Sequence, residues 1–259
     1  MKLPLYQVDA FASAVFRGNP AAVVPLERWL DDRVMQAIAA ENNLSETAFL
    51  VAEGEDFRIR WFTPVVEVDL CGHATLASAF VLFERLDRAR DTVTFRSRGG
   101  VLTVTRAGER LVMELPALPG VRVDAPPDLV AGLGSTPREV RLASDHLAVF
   151  DAEADVRAIV PHAEPLARLG SRGVIATAPG EHADFVSRFF APGVGVPEDP
   201  VTGSAHCTLV PYWAERLGRT TLHARQISPR GGELWCELRG DRVRMAGHAV
   251  LYLEGTIEI

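Results

Sequence analysis

The sequence predicts an α+β protein of two pseudo-symmetric halves, each with a sheet wrapped around a central helix, and three observations carry that reading. The chain repeats itself once. Gly72-His73-Ala74-Thr75-Leu76 opens an apolar run ending Glu84-Arg85-Leu86, and Gly203-Ser204-Ala205-His206-Cys207 opens another ending Glu215-Arg216-Leu217, at a constant offset of 131 residues. The flanks repeat in the same order. Arg60-Trp61-Phe62-Thr63-Pro64 matches Arg188-Phe189-Phe190-Ala191-Pro192, and Arg98-Gly99-Gly100-Val101-Leu102 matches Arg230-Gly231-Gly232-Glu233-Leu234. Gly108, Arg110 and Met113 then match Gly240, Arg242 and Met245. Any one match could be chance, but four blocks in order call for two homologous halves. Finally, the run after Gly72 is apolar nearly all round, with charges only at its end. A helix of that kind belongs inside a core rather than on a surface.

The elements follow in chain order. Tyr6 to Phe11 and Ala21 to Val24 read as strands around the Gly18-Asn19-Pro20 turn. Leu30 to Ala40 reads as a helix with Asp31 and Asp32 near its start. Glu46 to Ala52 and Phe57 to Phe62 are strands separated by a turn at Gly54, and Ala74 to Leu86 is the central helix. Thr92 to Phe95, Val101 to Thr105 and Leu111 to Leu115 close the half as a meander. Pro116, Pro119, Pro126 and Pro127 mark a crossover, which gives halves of 1–117 and 118–259. The second central helix is Ala205 to Leu217. The alternating segment Val250 to Ile259 reads as a strand able to pair back onto the first half.

Composition narrows the functional classes. With 47% hydrophobic and 24% charged residues, the 259-residue chain has the make-up of a globular protein. A formal net charge of -7 argues against a broad nucleic-acid surface, while leaving room for a local site that binds an anion. No stretch reaches the roughly 20 apolar residues needed to span a bilayer, and the first residues lack a signal-peptide core, so a cytoplasmic protein is expected. The three cysteines have no metal-type spacing and fit reduced thiols. No Gly-x-Gly-x-x-Gly turn follows a strand. The expectation is therefore no metal, nucleotide or flavin cofactor.

The candidate site residues cluster in three segments. Both central helices start at glycine-containing turns, around Gly72 and Gly203. Free N–H groups and the helix dipole make such an end a place for an anion, although the glycines can equally serve turn geometry alone. Glu46 opens an apolar strand, where a carboxylate is awkward without partners or a task. It is either a proton-transfer group, tuned by burial to act as both acid and base, or a strand-edge residue in water. Asp199 lies just before the second helix and either caps it or holds a substrate group. His73 stands opposite Ser204 in the repeat, and a lone histidine there is structural or catalytic.

Taken together, Gly18-Asn19-Pro20, Asn43-Leu44-Ser45-Glu46-Thr47, Cys71-Gly72-His73-Ala74-Thr75 and Glu198-Asp199-Pro200-Val201-Thr202-Gly203-Ser204-Ala205 resemble the PhzF family of phenazine-biosynthesis-like isomerases, in order and over essentially the whole chain. The resemblance implies the two-domain diaminopimelate-epimerase-like fold, a site in the cleft between the halves, and a homodimer. It makes Glu46 the acid/base that shuttles a proton between substrate carbons, supported by His73 and Asp199. Ser204 is a further supporting residue, and Gly72 and Gly203 are backbone donors; beside these, Ser45 or Asp199 is expected to orient the substrate. One position departs from the fold relatives that racemise amino acids with two cysteines. Cys71 occupies the first cysteine position, but its counterpart in the repeat is Thr202. Threonine is far too weak an acid to replace a thiol, so Cys71 reads as an inherited small residue or an accessory thiol at the site.

The function expected is a cofactor-independent isomerase of a small carboxylate-bearing metabolite. The alternatives are a cysteine-assisted epimerase or dehydratase of an amino acid, and a non-catalytic ligand-binding relative.

Overall fold

The computed structural model describes residues 1–259, which form two compact units. Unit 1 is Met1–Glu114 with Ala246–Ile259, and unit 2 is Leu115–Met245.

Unit 1 contains β1 (Lys2–Ala10), β2 (Asn19–Leu26), α1 (Asp32–Asn42), β3 (Glu46–Glu53), β4 (Asp56–Phe62), β5 (Glu67–Val68), α2 (Gly72–Val81), β6 (Thr92–Ser97), β7 (Gly100–Ala107) and β8 (Arg110–Pro116). In unit 2 follow β9 (Val121–Val123), α3 (Pro127–Leu133), β10 (Glu139–Leu142), β11 (His146–Val149), α4 (Glu153–Ala158), α5 (Ala163–Ala167), β12 (Val174–Pro179), β13 (Phe185–Ala191), β14 (Val196–Asp199), α6 (Gly203–Leu217), β15 (Thr221–Gln226), β16 (Gly232–Arg239) and β17 (Arg242–Gly247). The last strand, β18 (Ala249–Glu258), runs antiparallel to β1 and so belongs to unit 1. No helix is long and apolar enough to cross a membrane.

The sequence repeat returns as a repeat of strand pairings. In unit 1, β1–β2 is antiparallel, β2–β3 parallel, β3–β4 antiparallel, β4–β6 parallel and β6–β7 antiparallel. Unit 2 runs through the same series with β10–β11, β11–β12, β12–β13, β13–β15 and β15–β16. A short antiparallel strand, β5 or β14, leads from each series towards the central helix.

Each central helix is held by its sheet. The α2 helix packs on β1, β2, β3, β7 and β18, and all but two of its ten residues are buried. Its hydroxyls bond back into the helix, Thr75 Oγ1 to Cys71 O at 2.5 Å and Ser78 Oγ to Ala74 O at 2.7 Å, so neither brings an unsatisfied polar group into the core. The sequence predicts this helix over Ala74 to Leu86. It begins two residues earlier, and after Val81 it widens into a π-type turn in which Asp87 N–H reaches Leu82 O at 2.7 Å.

In α6, Pro211 removes the N–H that would have bonded Cys207 O four residues back. That carbonyl instead accepts from Leu118 N–H at 2.8 Å, which ties the proline-rich crossover to the helix. Trp213 stacks on Phe185 of β13 at 5.7 Å and donates through Nε1 to Thr177 Oγ1 of β12 at 3.0 Å. An arginine–glutamate pair also recurs. Arg60 grips Glu67 with two bonds of 2.7 Å, and Arg188 grips Glu198 at 2.7 and 2.8 Å.

Candidate active site

Glu46 owes its place to the end of α1. Asn43 stops that helix in the left-handed region at φ 49, returning its N–H to Ala39 O. Asparagine adopts this conformation more readily than most residues. Asn42 Nδ2 then bonds Thr47 Oγ1 at 3.0 Å and ties the turn to β3. Glu46 becomes the first residue of β3, half-buried, with the half-buried Ser45 just before it.

His73 comes from α2. Cys71 occupies the N-cap position with extended dihedrals and makes no capping hydrogen bond, its sulfur only facing Ala74 N–H, so the N–H groups of Gly72 and His73 have no side-chain cap. Gly72 is the first residue of the helix and His73 the second, 5% exposed. His73 Nε2 lies 3.1 Å from Glu46 Oε2. Its other nitrogen, Nδ1, lies 3.2 Å from Asn19 Nδ2 and 3.5 Å from Cys71 Sγ. Asn19 is fully buried at the start of β2. The loop leading to it turns through positive φ at Phe11, Phe16 and Gly18. A side chain at Gly18 would place Cβ 2.2 Å from Ala10 O, so the close approach that delivers Asn19 to His73 requires glycine.

Burial pushes the Cys71 thiol up to about 11, helped by the charge of Glu46, so at neutral pH Cys71 is a thiol and not a base. Burial likewise disfavours a charged His73, while the charges that Cys71 and Glu46 can carry pull the other way and raise it. Cys71 carries its charge only once its thiol ionises. At neutral pH the ring therefore faces Glu46 alone against complete burial. Donor atoms of Glu46, Cys71 and His73 lie within 4.8 Å of one another, which makes them the set best able to offer ligands to a transition metal. The two ring nitrogens face different partners, Glu46 at Nε2 and Asn19 with Cys71 at Nδ1.

In unit 2, Asp199 ends β14, and α6 starts at Gly203 with Ser204 next. The capping role considered for Asp199 is not what the structure shows. Thr202 is the N-cap residue, without a side-chain cap bond, and Asp199 Oδ2 accepts from Thr202 Oγ1 at 2.5 Å. Gln226, 1% exposed, completes the turn. Its Oε1 accepts Thr202 N–H at 2.8 Å, and its Nε2 donates to Asp199 O at 2.8 Å and to Thr202 Oγ1 at 3.1 Å. Arg172 Nη1 donates to Ser204 Oγ at 2.9 Å, while Nε and Nη2 grip the buried Asp145. Burial works against the charge of Arg172, and Asp145 more than restores it, holding the guanidinium above its ordinary value. Arg172, Asp145 and Gln226 carried no signal in the sequence. Asn19 stands in the Gly18-Asn19-Pro20 motif, which the sequence marks as a turn and not as chemistry.

An α+β chain of two repeated units, each with a central helix whose start is left uncapped beside polar groups, is of the diaminopimelate-epimerase-like fold. A hydroxyproline epimerase structure from Agrobacterium vitis shares that fold, with a TM-score of 0.64 at 11% identity over 99% of this chain and 92% of that one. The comparisons are more specific. The family model for phenazine biosynthesis-like protein matches residues 8–255. An "uncharacterized isomerase" of Pseudomonas aeruginosa is 56% identical over the full length of both chains. The crystal structure of a PhzF-family phenazine biosynthesis protein from Enterococcus faecalis superposes with a TM-score of 0.97 at 49% identity, again over all of both chains. The chain belongs to the PhzC/PhzF family of phenazine biosynthesis-like proteins, which are isomerase-like enzymes.

Proposed function

We propose that the protein is a cofactor-independent isomerase that moves a proton between two carbons of a small carboxylate-bearing metabolite, with Glu46 as the proton carrier. The contact between Glu46 and the buried His73, beside the uncapped start of α2, carries the reading. Glu46 removes a proton from an acidified carbon, the C–H electron pair delocalises through the adjacent unsaturated system, and the carboxylic acid returns the proton to a carbon further along. No electrons are gained or lost, so the step needs no redox partner. Backbone N–H groups at Gly72-His73 hold negative charge as it spreads, and the family resemblance gives the same duty to Gly203-Ser204.

A single carrier suits a 1,3-type shift better than inversion at one carbon, which needs an acid and a base on opposite faces. Cys71 is kept as a thiol, and Thr202 holds the equivalent place in unit 2. Both facts weigh against two-cysteine chemistry. In this reading His73 and Asp199 support catalysis, and Ser45, Ser204 and Cys71 line the bound substrate. A cytoplasmic homodimer is the assembly the reading expects, and light scattering measures it.

The test is deuterium uptake. Candidate unsaturated carboxylates are incubated with the protein in D2O and followed by proton NMR, before and after dialysis against a chelator. Exchange that survives dialysis and is lost in Glu46→Gln supports the reading. Exchange that needs a metal, or is indifferent to Glu46, overturns it.

A further inference from the structure

We propose that Arg58, Arg60, Arg96 and Arg98 of unit 1 form a binding site for a small molecule that carries a di- or triphosphate. The inference does not depend on the isomerase reading, since none of these residues takes part in it.

The strand register gathers the four arginines. Arg58 of β4 and Arg96 of β6 are direct partners across the parallel pairing. Arg60 lies two residues further along β4 and so leaves the same face of the strand. Arg98 stands two residues beyond Arg96, just past the end of β6. Like charges directly opposite one another on neighbouring strands destabilise a sheet. An anion between them removes that cost. Together with Trp29 and Ser97 the four line a pocket of about 390 Å³, a size within the range of small-molecule sites.

The carboxylates that pair with these arginines are not among the residues lining that pocket. Glu53 and Asp56 flank the turn between β3 and β4. Glu53 takes Arg58 Nε at 3.2 Å, and Asp56 takes Arg96 Nε and Nη2 at 3.0 and 2.8 Å. Glu67 and Asp32 engage all three nitrogens of Arg60, and both acids line a separate groove beside Val65 and Val66. Glu67 also meets Arg98 Nη1 at 2.9 Å. The acids thus hold the guanidiniums in place. Both Nη groups of Arg58, Nη1 of Arg96, and Nε and Nη2 of Arg98 stay available to a ligand. Arg60, whose guanidinium lies 5.5 Å from the Trp29 ring centre, forms a fixed floor.

Guanidinium is the side-chain group best shaped for bidentate contact with phosphate. A single carboxylate would satisfy one arginine. A row of phosphates can engage several at once, and it carries enough charge to offset the repulsion between Arg58 and Arg96.

Isothermal titration calorimetry of the full chain at physiological salt tests this with inorganic triphosphate, ATP, adenosine and citrate. Triphosphate and ATP should each saturate one site, and adenosine and citrate should not. Arg58→Gln and Arg96→Gln change side chains that are more than half exposed, so both variants should fold, which circular dichroism checks. Each should weaken triphosphate by about tenfold or more, the loss of one charge-assisted hydrogen bond. Equal affinity for triphosphate and ATP makes the phosphates the whole ligand. Tighter ATP adds Trp29 as a platform for the base, and Trp29→Ala then removes the difference. A wild type that binds no triphosphate saturably, citrate bound as tightly as triphosphate, or unchanged affinity in both arginine variants overturns the proposal. The wild-type titration decides even if a variant does not fold.

Discussion

His73 Nε2 and Glu46 Oε2 meet at 3.1 Å, which joins the second residue of α2 to the first residue of β3. Positioned acid/base catalysis contributes ~10²–10⁴-fold. Glu46→Gln keeps the size of the side chain and cannot carry a proton, so turnover should fall by about that factor while ligand affinity is retained. Cys71→Ser should cost much less than Glu46→Gln. Steady-state kinetics and calorimetric binding on both variants check this, and a dead Cys71→Ser beside a nearly normal Glu46→Gln would reverse the assignment.

The three cysteines should be unreactive while the protein is folded. All are buried, and burial raises each thiol, Cys71 to about 11 and Cys207 to about 12. A maleimide or disulfide reagent at pH 8 should label none of them quickly and all of them after denaturation. The same shift ties stability to pH. For Cys71 the folded value lies above the ordinary 9.0, so its contribution is complete below 9.0 and disappears as pH rises towards about 11. Rapid labelling of Cys71 in the native protein would show it to be an accessible, activated thiol.

His206 makes the opposite prediction in acid. It is fully buried in α6, with Nδ1 bonded to Thr202 O at 2.9 Å, and burial lowers it to about 4 against that bond. The folded value lies below the ordinary 6.5, so its contribution is present above 6.5 and is lost as pH falls through about 4. Across that window the loss is about 3 kcal/mol. Urea unfolding of the wild type and His206→Gln at pH 7.5, 6 and 4.5 should converge as pH falls. Parallel pH dependence in the two proteins would remove His206 from the account.

The pair of Arg188 and Glu198 is a largely buried ion pair and should be costly to break. Arg188 is 8% exposed, and its Nη1 also reaches Val156 O and Ile159 O. Glu198→Ala should destabilise by about 3–5 kcal/mol, because it leaves the guanidinium buried without its counter-charge. The exposed pair Arg58 and Glu53 should be worth under about 1 kcal/mol by the same denaturant measurement. Equal effects at the two places would mean that burial does not govern either.

What the sequence made legible was the part written locally. Repeat offsets, apolar periodicity and turn glycines marked the two halves, the central helices and the Glu46 strand, because those signals lie within a few residues of the structure they specify. Helix ends were read less well. The α2 helix starts at Gly72 and not Ala74, since a glycine that opens a helix looks like any turn glycine, and its π-type end depends on where Asp87 N–H can reach. The spacing of Asp199 fits either a cap or a holder of a substrate group, and of the two the cap is absent, its carboxylate bonding the hydroxyl of Thr202. Arg172, Asp145 and Gln226 had no local pattern at all. Gln226 reaches Thr202 across 24 residues, and Arg172 reaches Ser204 across 32, distances that only the fold closes. Asn19 could be read as a turn residue, while its contact with His73 spans 54 residues.

The return of β18 to β1 has a consequence for synthesis. Unit 2 is one continuous stretch, Leu115–Met245, whereas unit 1 needs Ala246–Ile259 as well as its first 114 residues. On the ribosome the later unit therefore receives its full set of strands first. The earlier one waits with β1 paired to β2 alone, its other edge open to pairing with other chains until β18 is made. Nascent chains stalled before residue 246 should accordingly recruit chaperones through the segment that was made first.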